Sequence, residues 1–125
     1  MTSPTCYCGS AFLFEKCCNP FINGNQKAPS AEALMRSRYS AYVVQNADYL
    51  IATTHVSTRE NFSKEEILSW SQQNKWQQLE VLATTETTVT FKAYFLDEKL
   101  KAQVHFEHSL FTKENGIWYY VDGTH

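Results

Sequence analysis

Every thiol of the chain lies in one stretch, "CYCGSAFLFEKCC", as Cys6, Cys8, Cys17 and Cys18. Disulfides, a redox pair, a metal site and coincidence are the four readings to weigh. Vicinal Cys17 and Cys18 would close a strained ring, and a Cys6–Cys17 bridge would need an oxidising compartment. A redox pair more usually has two residues between its thiols. Four thiolates, by contrast, complete the tetrahedron that zinc prefers, with Zn–S near ~2.3 Å, and leave no open position for catalysis. The spacing therefore points to one structural zinc ion.

The flanking residues can bring the two pairs together. Gly9 and Ser10 let the chain turn directly after Cys8. "AFLFEKCC" reads as one or two helical turns returning Cys17 and Cys18, and Asn19-Pro20 should end that element. Phe12 and Phe14 are expected to cover the knot or dock it. The stretch resembles the SEC-C motif: Cys-x-Cys-Gly-Ser, an aromatic-containing segment, then Cys-Cys. That resemblance implies zinc ligation by Cys6, Cys8, Cys17 and Cys18.

Other chemistry is sparser. "FEHS" (106–109) is no Ser-His-acid triad, because neighbours on a strand point to opposite faces. His105 and Glu107 share a face and suit acid–base work if they line a cleft; otherwise they are polar residues on the open side of a sheet. Tyr39 and His55 are further cavity candidates, although His55 is placed to bond the last carbonyls of a helix. Arg38 and Tyr42, four apart on one helix, could orient an anionic ligand, while arginines at 36 and 38 more ordinarily snorkel or pair with Asp48 or Glu107. No glycine-rich phosphate loop opens a helix, and the histidines at 55, 105, 108 and 125 lack zincin spacing.

These candidates ride on a legible pattern. "NPFINGNQKAPS" (19–30) reads as a linker. Ser30 caps a helix whose face carries Leu34, Ser37, Ala41 and Val44, flanked by Met35 and Tyr42. A short helix follows near Ala47–Thr54. Ser63 and Glu66 stand at capping-box spacing for a third. After Asn74 come four strand-like segments, 76–85, 88–96, 101–113 and 117–124, with turns at Glu86-Thr87, Asp97-Glu98 and Asn115-Gly116. Helices first and strands after argue an α+β fold: helices packed on a curved antiparallel sheet. In the third strand Ala102, Val104, Phe106, His108 and Leu110 form the more apolar set and are expected to face the core. The division expected is a knot and linker over 1–27 and a domain over 28–125.

Eleven basic and thirteen acidic residues are scattered, with net charge −2, so no broad basic surface serves nucleic acid or an anionic membrane. No long apolar run suggests a membrane span, and no basic-then-apolar leader is visible; a cytoplasmic location is expected. Together, "LMRSRYSAYVVQNADYLIATTH", "VTFKAYF" and "FTKENGIWYYVDGT" resemble the bacterial YchJ family, in which a SEC-C knot precedes a nuclear-transport-factor-two-like domain. The resemblance implies a cystatin-like cone with an internal cavity, but no reaction. Many members carry a second knot after the "VDGT" stretch, whereas this sequence stops at His125. The leading reading is an adaptor that binds a protein partner through the knot, marked by an apolar patch near Phe12, Phe14 and Phe21. The alternative is an enzyme or binder acting on a small molecule in the cavity, marked by a perturbed polar pair there. Elemental mass spectrometry should find one zinc per chain, with thiols masked until chelation. Cys8→Ser should release the ion and unfold the first twenty or so residues, with the domain from Ser30 onward still folded. Metal-free protein with four titratable thiols would overturn the assignment.

Overall fold

A computed structural model describes residues 4–124. His125 and the first three residues lie outside the described residues, and with them the outer ends of the ranges 1–27 and 28–125.

A tight N-terminal hairpin is closed by an antiparallel bridge between Thr5 and Leu13 and leads into a 3-10 turn at Phe14–Lys16. Helix α1 (Asn19–Ile22) follows. Asn19-Pro20 thus begins a helix rather than ending one: proline in the first turn forfeits only an N–H that has no intrahelical partner. The segment expected to be a linker is helical over its first four residues. Next come α2 (Ala31–Val43), α3 (Ala47–Ala52), α4 (Val56–Arg59) and α5 (Lys64–Gln73). Ser30 caps α2 by accepting from Ala33 N, and Ser63 caps α5 by accepting from Glu66 N, as the sequence signals require.

Strands β1 (Lys75–Thr84), β2 (Thr88–Leu96), β3 (Ala102–Glu114) and β4 (Ile117–Thr124) form an antiparallel meander in that order. Asn115 and Gly116 both take positive φ, 52° and 79°, which is the two-residue hairpin their dipeptide encodes. Register irregularities in β1 near Trp76 and Val81, and between Leu110 and Phe111, bend the sheet around the helices.

Helix α2 is the axis of the molecule. Leu34, Met35, Ser37, Arg38, Tyr39, Ser40 and Ala41 are all buried, so α2 is enclosed around most of its circumference. The sequence expected a single buried face. The knot covers one side of α2 and the sheet the other, and one core cluster runs from Cys6, Cys8 and Cys18 through Leu34, Met35 and Tyr39 to Leu79, Val89, Ala93 and Phe111.

The third strand is inverted relative to expectation. Val104, Phe106 and Leu110 are exposed, whereas Glu107, Ser109 and Phe111 are buried. Register explains it. Glu107 pairs with Phe91, Ser109 with Val89 and His105 with Ala93, so these residues share the face of the inner apolar set of β2. Hydrophobicity within β3 alone therefore pointed to the wrong side. Thermal denaturation should show this directly. Phe106→Thr should cost under about 1 kcal/mol, whereas Phe111→Ala should cost about 3–5 kcal/mol by opening a cavity. Equal costs would contradict the assigned faces.

Candidate functional site

Two constellations carry chemistry. The first is the cysteine cluster. Gly9, at φ 90°, takes the left-handed turn that brings Cys8 beside the returning chain. Cys18 stands at the N-cap of α1. All four Sγ atoms lie within 4.8 Å of one another, and Cys8 and Cys17 are 3.7 Å apart. A zinc–sulfur tetrahedron has an S···S edge of about 3.8 Å, so the donor set fits a tetrahedral, thiolate-binding ion. Left to themselves the thiols conflict. Hydrogen bonding with Cys18 pulls Cys6 down, the same bond pushes Cys18 up, and burial pushes Cys17 up to about 11. A dication resolves that conflict, because all four sulfurs then ionise against it.

The knot is tied to α2. Arg36, bridged to Glu32 at 2.9 Å, donates to the Cys8 carbonyl at 2.7 Å, and Cys6 Sγ lies 3.7 Å from Ser40 Oγ. Phe14 packs on Tyr7 beside the cluster, whereas Phe12 is 68% exposed and turns outward instead of covering it.

The second constellation is a cavity of about 220 Å³ between α2, α5 and the concave face of the sheet. Trp70, Trp76, Tyr42 and Phe91 supply aromatic wall; Arg38, Tyr39, His105, Glu107, Ser109 and Tyr120 supply polar groups. Among the described residues, three donors converge on Glu107: Ser109 Oγ at 2.5 Å, His105 Nε2 at 2.9 Å and Tyr120 Oη at 3.0 Å. Burial alone would push this carboxyl up, but the hydrogen bonds from His105, Ser109 and Tyr120 outweigh it and hold Glu107 below its ordinary value. Burial and the adjacent Glu107 charge push the Tyr120 hydroxyl up, so it stays a donor. An ionised carboxylate only accepts, so His105 donates through Nε2, and in the neutral ring Nδ1 is the proton-accepting nitrogen. Burial also pushes Tyr39 up to about 12.

Of the candidates read from the sequence, Tyr39, His105 and Glu107 line this cavity, and the reading of His105 and Glu107 as solvent-facing is overturned with the inversion of β3. His55 stands elsewhere. It caps the start of α4, accepting from Ser57 N at 3.1 Å, instead of closing the end of α3, and its Nε2 bonds Glu114. Arg38 does not pair with Asp48 or Glu107. Its Nη1 donates to Leu50 O and Thr53 Oγ1 at the C-terminal end of α3, and its guanidinium lies 4.4 Å over the Tyr120 ring. Ser109, Tyr120 and Gly123 went unrecognised in the sequence. The alternate spacing of Glu107 and Ser109 signalled a shared face, but nothing local signalled Tyr120 or Gly123.

Gly123 is there for space. A Cβ at that position would stand 2.2 Å from Glu107 Oε2 and 2.4 Å from its carboxyl carbon. Gly123→Ala should therefore eject Glu107 from its donors and cost about 2–4 kcal/mol. The cost should shrink markedly in a Glu107→Ala background, as a double-mutant cycle would read. The depressed Glu107 carboxyl contributes stability that is fully present at neutral pH and is lost as pH falls through its folded value. The stability gap between wild type and Glu107→Gln should accordingly narrow on acidification. Additive substitutions and a pH-independent gap would refute this account of the site.

A family model described as the middle, NTF2-like domain of YchJ matches residues 30–123. A UPF0225 protein of Enterobacter sp. (strain 638) is 40% identical over 125 residues, covering 95% of this chain and 82% of its own length. The UPF0225 protein YchJ of Shigella dysenteriae serotype 1 (strain Sd197) is 42% identical over 128 residues, covering 98% and 84%. The solution structure of a SEC-C motif containing protein from Rhodopseudomonas palustris superposes with a TM-score of 0.87 at 35% identity, covering 99% of this chain and 98% of that one. The crystal structure of another, from Psychrobacter arcticus, gives 0.78 at 30% identity, covering 95% and 81%.

Proposed function

Since the chain belongs to the YchJ family, we propose that it is a small-molecule-binding protein whose site is the aromatic cavity, with a structural zinc in the knot. One observation carries this reading: Glu107, a buried and ionised carboxylate hydrogen-bonded to a histidine, lies in a concave aromatic site. A fold that needed only stability would do as well with apolar residues at these positions, so a buried carboxylate hydrogen-bonded to a histidine in a cavity points to function. The His105–Glu107 pair equips the site for proton transfer: the carboxylate fixes the ring and His105 exchanges the proton with a bound ligand. Zinc is favoured over harder ions because all four donors are thiolates. Thiolates persist in a reducing compartment, which supports a cytoplasmic site of action. No helix among the described residues is long and apolar enough to cross a membrane.

The adaptor reading has one observation behind it, the exposure of Phe12 (68%) and Leu13 (42%) beside the knot. A protein partner would dock there. A fragment library screened by thermal shift and mapped by NMR separates the two readings. The cavity reading expects hits that move the indole signals of Trp70 and Trp76 and the ring of His105. Hits confined to Phe12 and Leu13, or none at millimolar concentration, would overturn it.

A further inference from the structure

We propose that the cavity's ligand is a small carboxylate with a flat apolar body, its carboxylate gripped by the Nε–Nη2 edge of Arg38 and the hydroxyl of Tyr42. This rests on the cavity being the functional site.

Arg38 is 8% exposed and lines the cavity. Its Nη1 is spent on α3, through Leu50 O at 2.9 Å, Thr53 Oγ1 at 2.7 Å and Thr54 Oγ1 at 3.4 Å. Those bonds and the Tyr120 ring beneath it hold the guanidinium in one orientation. Its other two nitrogens, Nε and Nη2, make no hydrogen bond or ion pair with any described residue. Among the described residues Trp118 Nε1 is the one fully buried side-chain polar atom without a partner, so Nε and Nη2 reach open space. The cavity is the space beside them. The Nε–Nη2 edge presents two parallel N–H groups, the fork that matches a carboxylate bidentately.

Tyr42 lies four residues further along the same helix and on the same face. Its ring is locked edge-on against Trp70 at 5.5 Å, and its hydroxyl bonds no described residue. Two donor groups on one face of α2 thus line the same cavity, beside walls suited to a flat apolar body. The volume, about 220 Å³, is below the ~300–1,000 Å³ of sites for drug-sized ligands, so the body is small.

A cation is disfavoured on two grounds. Arg38 repels it, and the Glu107 oxygens are already engaged by Ser109, Tyr120 and His105. A neutral ligand would leave the guanidinium edge desolvated without a counter-charge. Between Arg38 and Glu107 lies the Tyr120 side chain, stacked on the first and bonded to the second, which keeps the two charges from neutralising each other directly.

The test is NMR titration of the full metal-loaded chain with three probes of one shape: benzoate, benzamide and benzylamine. Benzoate should bind at least about tenfold tighter than either of the others. Tyr42→Phe, which keeps the ring, and Arg38→Lys, which keeps the charge but loses the fork, should each weaken benzoate by about three- to tenfold while leaving benzamide nearly unchanged. Benzamide or benzylamine binding as tightly as benzoate would overturn the anionic class and leave the cavity site standing. Benzoate binding that ignores both substitutions would overturn the assigned residues. Failure of all three probes to move the Trp70 or His105 signals would overturn the proposal and count against the cavity reading too.

Discussion

Burying one carboxylate is the constraint from which most of this structure follows. Glu107 faces the interior of an apolar cone, where an ionised group without partners would be prohibitively unstable. Three donors must therefore reach it, and each comes from a position fixed by the sheet. His105 and Ser109 flank it at two-residue spacing on β3, and Tyr120 comes from β4. The carboxyl also needs room, which fixes position 123 as glycine. The hydroxyl bonding Glu107 belongs to the ring on which Arg38 is stacked, so the same residue that satisfies the anion seats the cation.

Helix α2 links this polar floor to the cysteine knot. Arg36 and Ser40 face the cysteine hairpin, while Arg38 and Tyr42 face the cavity. The knot's buried cysteines share a core with Leu34, Met35 and Tyr39, so an ion bound there would stabilise the helix that carries Arg38 and Tyr42. A bound ion would thereby act on the cavity only through the helix that the two share. The same arrangement explains why α2 lacks a clear polar face: the knot encloses one side of it and the sheet the other.

The aromatic wall rests on a different logic. Trp70 packs edge to face on Trp76 at 4.9 Å and on Phe95 at 5.9 Å, and Trp76 lies tilted on Phe95 at 5.1 Å, so each ring braces the next.

Much was legible in the residues themselves. Cysteine spacing, the Ser30 and Ser63 caps, the Asn115-Gly116 hairpin and the order of helices before strands are local signals, because the physics behind each acts within a few residues. The sequence by itself thus determined the three longer helices, the four strands, the α+β class and the clustering of the four cysteines, while α1 and α4, each a single turn, left no periodicity to read. Which face of β3 turns inward was not local. It depended on pairing with β2, and the more apolar alternate set was left outside because the polar set satisfies its own hydrogen bonds within. The sequence could not show that His55 opens α4 instead of closing α3, that Arg38 reaches across to α3, or that Gly123 makes way for Glu107. Those facts were decided only in the tertiary structure, because each arises where two distant segments compete for the same space or the same hydrogen bond.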